Sequence, residues 1–300
     1  MSCRKASVLS VVLSNFVVSL GVAHAQLQSG REGPSFGQVN PAQMARMVNP
    51  AEDGPFYMIN LIQYREKAVY PDGRETDLTG EEANNLYNPI GILREIGAEI
   101  VFMAQVEKMR LGDGTEWDQV AIVRYPSRRA FVQMTQRPDF QARSIHKDAG
   151  VGRTIVMVSH LVDSPSPGAP TPPKPTQPVT AGDRPFEMVQ VFRFRDPPQA
   201  EGGAAVTTGR EAMEQSGASS GAVATPMGVD PTALFEVEGV LIGDGRAWSE
   251  VRISRFPSRA ALEGHLANER RAATEPRRAA GIEDSYSMQT RPMINRLGSP

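Results

Sequence analysis

Cysteine is almost missing from this chain: one residue in 300, Cys3, inside an amino-terminal segment that reads as removable. That excludes a disulfide framework in the remainder and also a thiolate nucleophile or thiolate metal ligand. Histidine is scarce, with four residues, and His146, His160 and His265 have no metal-ligand spacing between them, so no metal site is expected. Neither sign of charge dominates, at 32 Lys plus Arg against 34 Asp plus Glu. The only basic blocks, Arg270-Arg271 and Arg277-Arg278, read as a solvated helix face, so nucleic acid is not an expected partner. Beyond Val22 no apolar run is long enough to span a bilayer.

What is present begins with Arg4 and Lys5, an apolar run from Ala6 to Val22, and Ala23-His24-Ala25 before Gln26. A basic start, an apolar middle and a small-x-small site are the parts of a cleaved secretory signal over residues 1–25. The protein is therefore expected to be periplasmic or secreted, and stabilised by burial alone. With Arg4 and Lys5 removed, 30 basic residues face 34 acidic ones, a mildly acidic balance.

A repeat organises the rest. Gly112-Asp113-Gly114 with Trp117 and Arg124-Tyr125-Pro126-Ser127-Arg128 returns as Gly243-Asp244-Gly245 with Trp248 and Arg255-Phe256-Pro257-Ser258-Arg259, at a constant offset of 131 residues. A polar lead over 26–53 precedes a first module at 54–162. Residues 163–183 carry seven prolines between Pro165 and Pro178 and read as a stiff linker. A degenerate second module follows at 184–295.

Within each module, alternating runs mark strands and a wider apolar spacing marks helices. Phe56 to Tyr64 and Phe186 to Phe194 open the modules as strands, with helices at Gly80 to Ile96 and about Gly203 to Gln215. Each Gly-Asp-Gly joins two further strands as a turn that needs positive φ. Ser127 and Ser258 are N-caps for second helices, and Thr154 to Leu161 and Tyr286 to Met293 close the modules. The order β-α-β-β-α-β predicts an α+β class: two tandem ferredoxin-like modules paired into an intramolecular pseudo-dimeric α/β barrel.

Phe56-Tyr57-Met58-Ile59-Asn60-Leu61, Tyr87, Gly97, Trp117-Asp118-Gln119-Val120, the Arg124 to Arg128 run, Pro138-Asp139-Phe140-Gln141-Ala142 and His146 together resemble a family of uncharacterised proteins of the dimeric α/β-barrel superfamily. The resemblance covers Pro55 to Val162 well. Relatives in that superfamily include cofactor-independent monooxygenases, haem-degrading enzymes, muconolactone isomerases and polyketide cyclases. The resemblance implies activity associated with an Asn on the first strand, a Trp and, in the haem case, a His on the second helical region. Asn60, Trp117 and His146 stand in that order here.

Read from the residues themselves, Asn60 sits among apolar side chains on one strand face and is either a ligand contact or a satisfied core amide. His146, whose counterpart at the repeat offset is Arg277, can serve as a general base. Arg143, Tyr87, Tyr64 and Trp117 are candidate substrate-binding residues, each with packing or solvent exposure as the alternative. The expectation is a small organic ligand in the first module, cofactor-independent acid/base or oxygenase-type chemistry by His146 and Asn60, and no cofactor. The alternatives are a non-catalytic binding or interaction protein and haem bound through His146. A further homo-oligomer is left open.

Overall fold

The computed structural model describes residues 36–163, 183–195, 208–214, 228–268 and 278–297. The expected signal over residues 1–25, the start of the lead, most of the expected linker, Thr274 and Arg277 lie outside them. Nine strands are found among the described residues: β1 (Gln38–Val39), β2 (Phe56–Tyr64), β3 (Glu99–Leu111), β4 (Gln119–Tyr125), β5 (Val151–Asp163), β6 (Phe186–Phe194), β7 (Asp230–Gly243), β8 (Glu250–Phe256) and β9 (Ile282–Asn295). The helices are α1 (Pro41–Met47), α2 (Gly80–Tyr87), α3 (Ile90–Glu95), α4 (Arg128–Thr135), α5 (Pro138–Gly150) and α6 (Arg259–Ala267), with helical residues also at 209–214 and 278–281. None of these helices is long and apolar enough to cross a membrane.

The chain folds as two compact units. The first takes the described residues up to Val101, Trp117–Ser159 and Gly239–Arg246; its strands run β1-β7-β5-β2-β4, with the first residues of β3 beside β4. The second takes Phe102–Glu116, His160–Glu238 and the residues from Ala247 on, with strand order β3-β9-β6-β8-β7. The strand pairs whose register is defined are all antiparallel.

This corrects the expected fold class. Two ferredoxin-like modules, each with its own four-stranded sheet and paired as a pseudo-dimeric α/β barrel, are not what forms; the architecture is antiparallel β with few helices, and each unit draws strands from both halves of the chain. The physical reason lies in strand length and backbone pairing. Strands β3, β5, β7 and β9 are 13 or 14 residues long, well above the usual strand of about five or six. Alternation tells which face of β3 is buried, but not where its N–H and C=O groups find partners. From Phe102 onward they pair with β9, in a register from Phe102↔Asn295 to Leu111↔Ser287 broken by three irregularities.

The single helix expected from Gly80 to Ile96 is also two. Asn88 takes φ of 28° and Pro89 follows, so the helical path breaks there. Leu86 and Ile90, which the periodicity places on an apolar face, are half exposed in consequence. The start of α2 carries a capping box, in the Thr-x-x-Glu spacing of Thr79 and Glu82: Glu82 N–H donates to Thr79 Oγ1 at 3.2 Å and Thr79 N–H to Glu82 Oε2 at 2.8 Å.

In the first unit α1, α3 and α4 cover the sheet face formed by Phe56 and Met58 of β2, Tyr125 of β4 and Val156 and Val158 of β5; Ile92, Leu93, Phe131 and Met134 fill the space between. In the second unit Phe186, Met188, Val229, Phe256 and Leu262 form a smaller core. The same local devices occur in each unit. Phe56 stacks on Tyr125 at 5.1 Å, and Phe186 on Phe256 at 5.5 Å. Ser127 accepts from Ala130 N–H and Ser258 from Ala261 N–H, both at 3.0 Å, while Asp53 and Asp183 receive the Arg129 and Arg259 amides. Loss of an N-cap oxygen orphans one amide of the first turn. Ser127→Ala is therefore expected to lower stability by about 1 kcal/mol in urea denaturation; an unchanged midpoint would show that Asp53 alone suffices.

Candidate functional site

The first unit brings the polar candidates to the helix-covered face of its sheet and to the segment linking β2 with α2. Asn60 is buried on β2, on the same side as Phe56 and Met58, as the alternation predicts. Its Nδ2 donates to Met58 O at 3.2 Å and Ala121 O at 3.4 Å. These two long bonds satisfy the amide nitrogen and hold the side chain between β2 and β4.

Tyr64, four residues further on at the end of β2, donates its hydroxyl to Gln119 Oε1 at 2.8 Å and accepts from Asn84 Nδ2 of α2 at 3.3 Å. Burial, with Glu81 and Asp118 nearby, pushes its phenol well above the ordinary value, so it remains a neutral donor. Tyr87, at the end of α2, stands edge-on to Phe140 at 5.8 Å and lies under Lys147 Nζ, 5.7 Å from its ring centroid. Helix α2 carries Tyr87 toward α5 because the two helices meet at Gly80 and Gly150, whose backbones touch.

His146 is half-buried on α5, and its partner was not foreseen. Tyr70 Oη lies 2.7 Å from His146 Nδ1, with the two rings edge-on at 5.5 Å. Tyr70 is buried with Ala68, Ala83 and Ala149, and Arg74 sits 4.5 Å over its ring. Desolvation lowers the imidazole pKa below its ordinary value, and the Arg74 charge lowers it further, so the ring is neutral at pH 7. Arg74 itself is held by Asp72, Nη2 to Oδ2 at 2.5 Å. Among the described residues, no group meets His146 Nε2.

The loop that delivers Tyr70 is built by legible chemistry. Tyr70-Pro71-Asp72-Gly73 is a turn closed by Gly73 N–H to Tyr70 O at 3.1 Å, with Gly73 at φ of 76°. Val69 N–H donates to Ala149 O at 3.0 Å, pinning the loop along α5. The turn residues were readable in the sequence; that the turn folds back onto His146 was not.

Two other candidates have different surroundings. Arg143 is exposed, and its Nη1 reaches Asn88 O at 3.4 Å, bracing the break between α2 and α3. Trp117 is buried against the edge of Phe36 at 5.6 Å, much as Trp248 in the second unit packs on Tyr286 at 5.0 Å. Thus Asn60, Tyr64 and Tyr87 share the region of β2 and α2, His146 joins Tyr70 and Arg74, and Arg143 and Trp117 lie among other partners. Among the described residues no group of three His, Cys, Asp or Glu side chains is placed to hold a metal ion.

The arrangement can move a proton. A neutral imidazole has one donor and one acceptor nitrogen. With the proton on Nδ1 and donated to Tyr70 Oη, Nε2 is the basic site, and Tyr70 fixes the ring's orientation.

No protein-family model matches the chain, and neither does any curated protein. Solved structures do. A protein of unknown function from Rhodopseudomonas palustris is 30% identical over 43% of this chain and 95% of its own, with a TM-score of 0.35; its methylated form gives 33%, 44%, 94% and 0.36. An anthrone oxidase-like protein is 14% identical, covering 83% of this chain and 98% of its own at a TM-score of 0.43. A mutant chlorite dismutase from Candidatus Nitrospira defluvii is 15% identical, with 80% and 91% covered and a TM-score of 0.42.

Proposed function

We propose, for a chain that belongs to the family of the Rhodopseudomonas palustris protein of unknown function, an exported role in binding a small, partly apolar organic molecule, with acid/base chemistry by His146. The 2.7 Å contact between Tyr70 Oη and His146 Nδ1, beside a guanidinium, is the observation that carries this reading. A structural histidine is served by any hydrogen-bond acceptor. Here a buried phenol orients the ring while Arg74 disfavours the imidazolium, which leaves a neutral base at physiological pH. Asn60, whose amide nitrogen is taken by two backbone carbonyls, and Arg143, which holds Asn88 O, take no part in this reading. No step needs a metal or an added cofactor.

The reading has a pH signature. Turnover that uses the neutral imidazole rises as pH increases through a value below the ordinary histidine range and then stays level. Removing the Arg74 charge moves that limb upward. In a titration of the His146 ring protons by NMR, Arg74→Gln is expected to raise the pKa toward the ordinary value.

The functional test is native mass spectrometry on protein recovered from its exported compartment, followed by turnover of the molecule retained. His146→Ala and Tyr70→Phe are expected to lower turnover by about a hundredfold or more while the fold persists. Unchanged binding and turnover in both variants would remove the assignment. A Soret band lost in His146→Ala would replace it with haem ligation.

A further inference from the structure

Strand register aligns the two units residue by residue. In the first, Asn60 of β2 lies opposite Ala121 of β4 and Val156 of β5, and Met58 lies opposite Val158. In the second, Gln190 of β6 lies opposite Arg252 of β8 and Ser287 of β9, and Met188 lies opposite Gln289. Opposite residues of neighbouring strands share a face, and Met188 packs with Leu262 of α6, so this is the helix-covered face of the second unit's sheet. Where the first unit buries Val156 and Val158 in its core, the second has Ser287 and Gln289, both buried, and Arg252 stands where the first has Ala121. Gln190 Nε2 donates to Ser287 Oγ at 3.3 Å.

A guanidinium from β3 joins this polar row. The pairing of β3 with β9 is irregular between Met109, opposite Met288, and Leu111, opposite Ser287, so Arg110 has no residue opposite it. An extra residue of this kind re-aims its side chain. Arg110 Nη2 donates to Gln289 Oε1 at 2.6 Å, whereas its Nε is buried without a hydrogen-bond partner among the described residues. No carboxylate among those residues pairs with Arg110. Arg252, by contrast, is paired with Glu250, which Arg210 also holds at 3.1 Å. A partly buried cation with a dry, unfilled donor is costly unless an anion meets it.

We propose that Arg110 receives the carboxylate of a small hydroxy acid on the helix-covered face of the second unit's sheet, with Gln289, Ser287 and Gln190 beside it. The guanidinium presents its N–H donors in a planar fork that matches a carboxylate, and such charge-assisted pairs are the strong ones. Gln289 Oε1 takes one of these donors and fixes the plane of the fork. Ser287, two residues along β9 from Gln289, and Gln190, across from it on β6, offer a hydroxyl and an amide to a further oxygen of the ligand. Arg110 and Gln190 are only half-buried, so the row is reached from solvent.

This site lies in the second unit and rests on no part of the His146 reading. Its test uses lactate as the probe, with lactamide as the uncharged comparison and propionate as the acid without a hydroxyl, in NMR chemical-shift titrations of the intact protein. Lactate is expected to bind about tenfold more tightly than lactamide, with shifts at the amides around Gln190 and Ser287, and Arg110→Met to remove that difference. It is expected to exceed propionate about three- to tenfold, a margin lost in Ser287→Val, which restores the aliphatic residue of the first unit. Arg110→Lys keeps the charge without the fork and is expected to weaken lactate about threefold or more. No lactate-induced shift at about 10 mM, shifts confined to the first unit, equal affinity for lactate and lactamide, or indifference to both Arg110 variants overturns the receptor. None of these outcomes touches the imidazole titration that tests the His146 pair.

Discussion

Gly150→Ala is expected to lower stability by about 3 kcal/mol or more, shifting the thermal midpoint down by about 10 °C. A Cβ at Gly150 would sit against Gly80 O, closer than real side chains approach, and 2.9 Å from Asn84 N. A Cβ at Gly80 would press on the backbone of Gly150 and Arg65, with Arg65 N at 2.6 Å. All of these neighbours are main chain, so none can swing away. Two hydrogen bonds run through the contact, Arg65 N–H to Gly150 O at 2.8 Å and Gly80 N–H to Arg65 O at 3.0 Å. To admit the methyl, α2 and α5 must part, and both bonds are lost. The second unit repeats the device with Gly209, Gly281 and Arg195, through bonds of 2.9 and 3.1 Å. A stability change under about 1 kcal/mol in Gly150→Ala would mean that the helices slide apart at little cost. Because α2 carries Tyr87 and α5 carries His146 and Lys147, the same substitution should also shift the imidazole titration.

The second large effect concerns Glu187, buried on β6 with Thr232 Oγ1 and Asn295 Nδ2 each 3.3 Å from its carboxyl. Burial raises it to about 7, with Arg255 opposing and Asp230 adding to the shift. A carboxyl whose folded-state pKa exceeds its unfolded value favours the folded state when protonated. That contribution is complete below the unfolded value near 4.5 and is lost as pH rises through about 7. The difference corresponds to about 3 kcal/mol, an order-of-magnitude figure. Glu187→Gln keeps an acceptor and the shape but cannot ionise. It is expected to match the wild type in acid and to exceed it by about 3 kcal/mol at about pH 8, read by urea denaturation. Equal stability of the two proteins at the higher pH would show that water or Arg255 already compensates the charge. Asp148, raised by the same cause, adds a slope of the same sign in the first unit.

Local structure was readable wherever it is decided by neighbours in sequence. Ser127 and Ser258 cap their helices as their positions indicate, and Gly114 and Gly245 take φ of 88° and 86° in the turns that require it. Gly97 ends α3 with φ of 74°. Alternation on β2 placed Asn60 on the same face as Phe56 and Met58, where the structure also has it. The break at Asn88 was legible in Pro89 but was outweighed by the apolar spacing of Leu86 and Ile90. The glycines at 80 and 150 are 70 positions apart, and nothing in either neighbourhood marks them as a contact.

The candidate site divides along the same line. His146 was recognisable as a histidine whose counterpart at the repeat offset is an arginine, and Tyr64 and Tyr87 as candidate binding residues of the same module. Tyr70, Arg74, Gln119, Asn84, Lys147 and Asp148 were not singled out, because a partner across a loop or a helix pair leaves no periodic trace. A lysine late in a helix reads as ordinary surface charge until the Tyr87 ring is found beneath it.

By itself the amino-acid sequence determined most of the strands and turns, the capped starts of the helices after Ser127 and Ser258, and that chemistry relying on thiolate or clustered histidine is excluded beyond the amino-terminal segment. Only the tertiary structure decided which strands pair, and it assigned β3 to β9 and β7 to β8 in one unit and β7 to β1 in the other. It alone put Tyr70 on His146. The reason is that side-chain pattern records local burial, whereas backbone hydrogen bonds between strands are chemically alike at every position, so length, register and long-range packing choose among them.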